Sequence, residues 1–420
     1  MTDNKAIEET VHRLVRDGFE HTFGAAQVDA LPSEVWRAVT ATGTTLWLDT
    51  GDMDEATSLW NSEFKALTTN NTLLNKEVQK GIYDKLVGKT AAAIRAAAPG
   101  IDEKRLILEV AFVLNAYHAL RLVHQFDAFV SVELHTDLAN DVERTVAYGK
   151  RFYAICPERF IVKVPLTPAG LLGARRLGDA GIPVNFTLGF SARQNYLSAL
   201  VAQPQYVNVF MGRLNAFVID NKLGDGKNVG EKATLATQRE ILALRSAGRT
   251  HARLIGASMR DGGQVGALAG LDVYTMPPKV ASQYQQNPLK AVSSRIADDP
   301  PVTTASGVSA DEFAARTLWE TPGAFKACVD ALLARNPSRM SPDELVSFLA
   351  AGGFGDLFPR WTEEDIGAAQ TDGKIPVYAR WKARLASGAI GLDSLMNLSA
   401  FYSFCTDQNA LDSRIAAGLR

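Results

Sequence analysis

The sequence predicts an α/β protein built as a (β/α)8 TIM barrel, with helices before the barrel and an extended helical region after it. Three observations carry this reading. Eight short strand-like runs fall between residues 45 and 277, amphipathic helical stretches separate most of them, and no glycine-rich nucleotide loop follows the first run. Alternation of β-branched strands with helices is the pattern of a parallel sheet, and eight such units close naturally into a barrel. The rival, an open doubly wound sheet, would usually carry GxGxxG or a P-loop after its first strand, and neither occurs.

In chain order the predicted strands are LWLDT (46–50), KALTTN (65–70), FVSVELH (129–135), FIVKVPL (160–166), PVNFTL (183–188), YVNVFM (206–211), ARLIGAS (252–258) and LDVYTM (271–276). Helical periodicity runs over 137–152 and 169–181, and the interval 71–128 is long enough for two or more helices. The chain before residue 40 also reads as helical, as does most of 290–420, where Pro and Gly break the pattern at NPSRMSP and AAGGFGDLFP. The expected division is therefore residues 1–290, a barrel with N-terminal helices, and 291–420, a helical extension packing on it.

Composition narrows the function classes. With 46% hydrophobic, 21% charged and 8% aromatic residues, the 420-residue chain has the make-up of an ordinary globular protein. A formal net charge of −2 offers no global attraction to nucleic acid or to an anionic membrane, so affinity for phosphate must come from a local site. Cys156, Cys328 and Cys405 are odd in number and widely spaced, against a disulfide framework or a structural zinc site. The six histidines form no HExxH or comparable group, so no metal is expected. The charged N-terminus lacks the apolar core of a secretory signal, and no run approaches about 18 consecutive apolar residues. A soluble, cytoplasmic protein is expected.

Side chains alternate along a strand, so one parity faces the barrel lumen and the other the surrounding helices. Val130, Val132 and Leu134 share one face, and so do Phe160, Val162 and Val164; Val184, Phe186 and Leu188; and Val207, Val209 and Met211. If these pack on the helices, the opposite parity sends Asp49, Asn70, Glu133, Lys163, Asn185, Thr187 and Asn208 into the lumen near the C-terminal strand ends, where barrel active sites are built. One such residue alone would be read as a surface charge or a strand-end polar group. Seven recurring on one parity are a constellation.

Its chemistry centres on Lys163. Apolar neighbours such as Ile161 and Pro165 disfavour the charged ammonium and favour a free amine able to add to a carbonyl. Asp49 and Glu133 supply proton transfer, to a substrate hydroxyl and to the water exchanged in forming or hydrolysing an imine. The Asn and Thr side chains suit polyol hydroxyls. GASMRDGG (256–263) sets Ser258 and Arg260 at a strand-to-helix junction suited to phosphate, and Arg213 adds a second positive charge.

The chain resembles transaldolases in LWLDTGD (46–52), ALTTNNTLLNKEV (66–78), VSVELHTDLANDVE (130–143), FIVKVPLTPAGLLGA (160–174), GIPVNFTLGFS (181–191), NVFMGRLNAF (208–217) and LIGASMR (254–260), in the family's order, with a looser match at FCTDQNALDSRIAAGL (404–419). The resemblance implies that Lys163 is the Schiff-base lysine and that Asp49 takes the proton from the substrate C4 hydroxyl. It implies that Glu133 and Thr187 hold the catalytic water, and that Asn70 and Asn185 contact the dihydroxyacetone unit. Arg213, Ser258 and Arg260 match the phosphate site. The implied reaction transfers a three-carbon ketol unit from a ketose phosphate, such as fructose 6-phosphate or sedoheptulose 7-phosphate, to an aldose phosphate, with no cofactor. Sugar phosphates are the expected partners of a monomer or homodimer.

Two positions depart from the family pattern. Asn71 stands where TTNP would have proline, and Asn208 where many members carry serine. The alternatives are an aldolase of the same superfamily acting through free dihydroxyacetone and a non-catalytic sugar-phosphate-binding barrel. Phe210, where related aldolases tend to place a tyrosine, favours transfer.

Overall fold

The computed structural model describes residues 2–419. Eight strands form a closed parallel barrel in sequential order: β1 Thr45–Asp49, β2 Phe64–Thr68, β3 Phe129–Glu133, β4 Phe160–Pro165, β5 Val184–Thr187, β6 Tyr206–Phe210, β7 Arg253–Ala257 and β8 Val273–Met276. All eight predicted runs become strands. The second and third end two residues early, because Asn70 and His135 cap the helices that follow.

The two strand parities separate in the packing. Val130, Val132, Leu134, Val162, Val164, Phe186, Val207 and Val209 belong to the outer core between sheet and helices. A separate apolar cluster of Trp47, Ala66, Ile161, Ile255, Ala257 and Val273 fills the inside of the barrel, with Trp47 edge-on to Tyr206 at 4.7 Å. This plug closes one end of the lumen as a packed core rather than a pore. The polar residues of the same parity lie above it.

Short sequence signals fix where the helices begin. In LTPAG, the Thr167 hydroxyl accepts the Gly170 N–H at 2.8 Å and Pro168 takes the first helical position of Pro168–Asp179. Gly170 is required by space, since a Cβ there would meet the Pro165 carbonyl oxygen at 2.2 Å. Three helices fill the interval between β2 and β3: Asn71–Gln79, Asp84–Ala97 and Glu103–Phe126. The last is long and apolar enough to cross a membrane by length and composition, but 83% of its most apolar window is buried inside the fold.

Beyond β8 the chain continues through Pro278–Gln286, an irregular stretch and several helices to the 27-residue helix Leu392–Gly418. This helix runs over the C-terminal strand ends. Asn397 Nδ2 donates to the carbonyls of Leu166 at 3.1 Å and Leu188 at 2.9 Å, which follow β4 and β5. Farther along, Asp412 meets His135 and Arg414 meets Asp84. Near its start, Asp393 accepts a bidentate pair from Arg193 at 2.8 and 2.7 Å and the Ser191 hydroxyl at 2.7 Å. Asp356 is also 2.7 Å from Arg193. These charges are removed from water, so they lock the helix onto the barrel with defined geometry.

Candidate active site

The upper lumen collects the polar ends of neighbouring strands. Glu133 pairs in register with Lys163, and Lys163 with Asn185, so three adjacent strands present these side chains at one height. Lys163 is 4% exposed. Its Nζ donates to the Thr69 carbonyl at 3.1 Å and lies 3.8 Å from Glu133 Oε1. Asp49 accepts from the Thr68 hydroxyl at 2.7 Å, and Thr68 and Thr275 share a 2.6 Å contact. Asn185 Nδ2 donates to the Ser131 hydroxyl at 2.9 Å, leaving Asn185 Oδ1 buried without a partner among the described residues. The buried Thr187 hydroxyl likewise has no partner among the described residues. Buried polar atoms are almost always paired, so the free oxygen of Asn185, the register neighbour of Lys163, marks an atom available to a ligand.

Two carboxylic acids beside one lysine divide the electrostatics. Burial raises Asp49 above the ordinary carboxylate range, and Lys163, Thr68 and Arg260 only partly oppose it. Glu133 is raised by burial as well, against the pull of Lys163 and of the Asn71 N–H. Both acids are therefore shifted toward neutrality, where a carboxyl can both take and return a proton.

Asp49, Lys163, Asn185, Asn208, Phe210, Arg213, Ser258, Arg260 and Asn70 line one cavity of about 320 Å³. Glu133 and Thr187 do not line it; Glu133 stands against Lys163 from the β3 side. Asn70 reaches the cavity as the N-cap of Asn71–Gln79, its Oδ1 accepting the Leu73 N–H at 2.8 Å, and not as the end of a strand. An asparagine cap spends one oxygen on the helix and keeps its NH2 for other partners.

The mouth is cationic. Arg213 is 7% exposed and, among the described residues, neither it nor Arg260 has a carboxylate within ion-pair distance. Arg213 lies over the rings of Phe404 at 5.6 Å and Phe210 at 5.9 Å. Burial, reinforced by Arg260, pulls its guanidinium down to about 10. Ser258 holds a left-handed backbone, φ +62°, uncommon for a non-glycine residue and frequent where a loop is shaped for a ligand. Gly212 lets this loop approach: a Cβ there would lie 2.1 Å from the Ser258 carbonyl oxygen and 2.7 Å from Arg260 Nε. Among the described residues no side chain caps Met211–Asp220, so its first amides remain available for an anion.

Several lining groups are not among the residues expected from the sequence. Thr68 and Thr275 follow from strand parity and could have been found by extending it to β2 and β8. Thr72, Lys374, Ile375, Phe404 and Asp407 could not, because the docking of distant helices brings four of them to the cavity. The Thr72 hydroxyl donates to Asp407, joining the helix after β2 to Leu392–Gly418.

The family model described as Transaldolase/Fructose-6-phosphate aldolase matches residues 46–336. The chain belongs to this family. It is 29% identical over 289 residues to a transaldolase of Xanthomonas euvesicatoria pv. vesicatoria, an alignment covering 64% of this chain and 87% of that relative. It is 34% identical over 248 residues to a probable transaldolase of Thermus thermophilus, covering 58% of this chain and 92% of the relative. Every strand of the barrel but the first residue of β1 falls inside the transaldolase/aldolase match. Lys374, Ile375, Phe404 and Asp407 lie beyond the matched residues and complete the cavity wall.

Proposed function

We propose that the protein is a transaldolase that moves a dihydroxyacetone unit from a ketose phosphate to an aldose phosphate through an imine on Lys163. The observation that carries this reading is a buried lysine 3.8 Å from a carboxylate, opening on a cavity whose mouth holds two arginines without carboxylate partners among the described residues. The amine of Lys163 adds to the ketose C2 carbonyl, and the carbinolamine loses water with Glu133 acting through that water. Thr187 offers the second contact to it. Asp49 then takes the C4 hydroxyl proton, the C3–C4 bond breaks and the aldose phosphate leaves.

The electron pair stays on the three-carbon unit, delocalised into the protonated imine, so the lysine itself is the electron sink. Asn70, Asn185 and Asn208 hold the hydroxyls of the retained unit. Attack on the acceptor aldehyde reforms a C–C bond, Asp49 returns its proton to the new hydroxyl, and hydrolysis frees Lys163. Arg213, Arg260 and the Ser258 loop bind the phosphate. Phe210 offers no acidic hydroxyl to protonate the carbanion, which favours transfer over release of free dihydroxyacetone.

The test is product formation from fructose 6-phosphate with and without erythrose 4-phosphate. Sedoheptulose 7-phosphate formed with the acceptor, and little free dihydroxyacetone without it, is expected. Release of dihydroxyacetone at a similar rate in both conditions would reassign the protein to the aldolases.

A further inference from the structure

Glu133 is buried, and its carboxylate has few partners. Oε1 faces Lys163 at 3.8 Å, while Oε2 accepts a hydrogen bond from the backbone N–H of Asn71 at 3.2 Å. The Asn71 side chain is engaged elsewhere, Nδ2 donating to the Leu134 carbonyl at 3.3 Å. Asn115 Nδ2 holds the Glu133 carbonyl at 2.9 Å, fixing the strand end but not the carboxylate. The hydrogen bond to the carboxylate therefore comes from a main-chain group, at the first position of the helix after β2.

Resting on the reading of Glu133 given above, we infer that the Asn71 N–H is a positioning group for the reaction: it pins Glu133 Oε2, aims Oε1 at Lys163 and holds the carboxylate in its charged form. The surroundings of the carboxyl work against that charge. Burial opposes the charge, and Asp49 on β1 and Asp407 on Leu392–Gly418 add repulsion. Lys163 on β4 and the Asn71 N–H oppose them, while His135 and Tyr148 border the small cavity behind the carboxyl. Lys163 loses its ammonium charge when its amine turns nucleophilic. At that point the amide is the remaining donor among the described residues, and unlike a side chain it neither titrates nor rotates away.

The local backbone allows a clean deletion of this donor. Asn71 is the first residue of its helix, where proline is well tolerated, and Asn70 before it is extended at φ −156°, ψ 170°, the conformation a following proline requires. N71P removes the N–H together with the side chain; N71A removes the side chain alone. In the pH profile of kcat/KM, N71P should move the acid limb upward by about one unit and N71A should leave it in place. Equal movement in both variants, or movement in neither, would overturn the inference.

A second measurement needs no turnover and no folded N71P. In the full chain labelled with 15N and with 13C at the glutamate carboxyl, the Asn71 amide should shift downfield with the same midpoint as the Glu133 carboxyl, identified by its loss in E133Q. An Asn71 amide indifferent to that titration would overturn the inference. Absence of any transfer activity with the two titrations still coupled would count against the proposed reaction alone.

Discussion

Replacing Arg213 with methionine should make the protein more stable and less able to use phosphorylated substrates. Arg213 is nearly buried, lacks a carboxylate partner among the described residues, and is pulled by burial to about 10. That pull corresponds to roughly 3 kcal/mol set against its charged form in the folded protein. Methionine has similar length and carries no charge to desolvate. The substitution also forfeits the contacts of the guanidinium with Phe210 and Phe404, worth about 0.5–1 kcal/mol each. A net gain of about 1–2 kcal/mol in urea unfolding follows from these opposing terms. In steady-state kinetics KM for the phosphorylated ketose should rise on the order of 100-fold, the loss of charge-assisted hydrogen bonds of about 2–3 kcal/mol. Inorganic phosphate at about 100 times its Kd should stabilise the unaltered protein by about 2.7 kcal/mol, and R213M far less. R213M destabilised by more than about 1 kcal/mol, or with unchanged KM, would refute the reasoning, since Arg213 would then be a structural cation.

Other expectations follow from the same geometry. Asp49→Asn should abolish C–C cleavage yet leave imine formation intact. Because burial raises the Asp49 carboxyl above its unfolded value, the native state binds more protons in the window above 3.8, and its contribution to stability falls as pH rises through that window. Urea unfolding should therefore find Asp49→Asn more stable than the unaltered protein at neutral pH, with the difference vanishing in acid. Asp393→Ala should cost about 2–3 kcal/mol, because buried Arg193 loses its bidentate partner and keeps only Asp356, while the R193M/D393L double variant should recover part of that loss, as a chemical-denaturation cycle would show. Gly212→Ala should push Arg260 and the Ser258 loop aside, raising KM for phosphorylated substrates more than for unphosphorylated ones.

The barrel was readable because its strands combine β-branched apolar residues on one parity with a polar minority on the other. VSVE and FIVKVP show both faces in a few residues, and the lumen and outer clusters divide on that parity. Element ends were less readable. The run ALTTN looks extended throughout, yet Asn70 turns to cap the next helix, a role that Asn ahead of an apolar helical pattern can signal. The wall formed by Lys374, Ile375, Phe404 and Asp407 was not readable as part of the site, although 404–419 carries a looser resemblance to the family. Its position depends on where Leu392–Gly418 docks, which is decided by contacts such as Asn397 with the Leu166 and Leu188 carbonyls and Arg193 with Asp393. The Asn71 amide escaped for a related reason, since a main-chain donor leaves no trace in residue type.

Whether Lys163 is the nucleophile decides the whole reaction scheme. Borohydride reduction in the presence of fructose 6-phosphate, followed by peptide mass spectrometry, tests it most directly. A three-carbon adduct on Lys163, absent without substrate and absent in Lys163→Met, is the expected result. An adduct on another lysine, or none under conditions of active turnover, would contradict it.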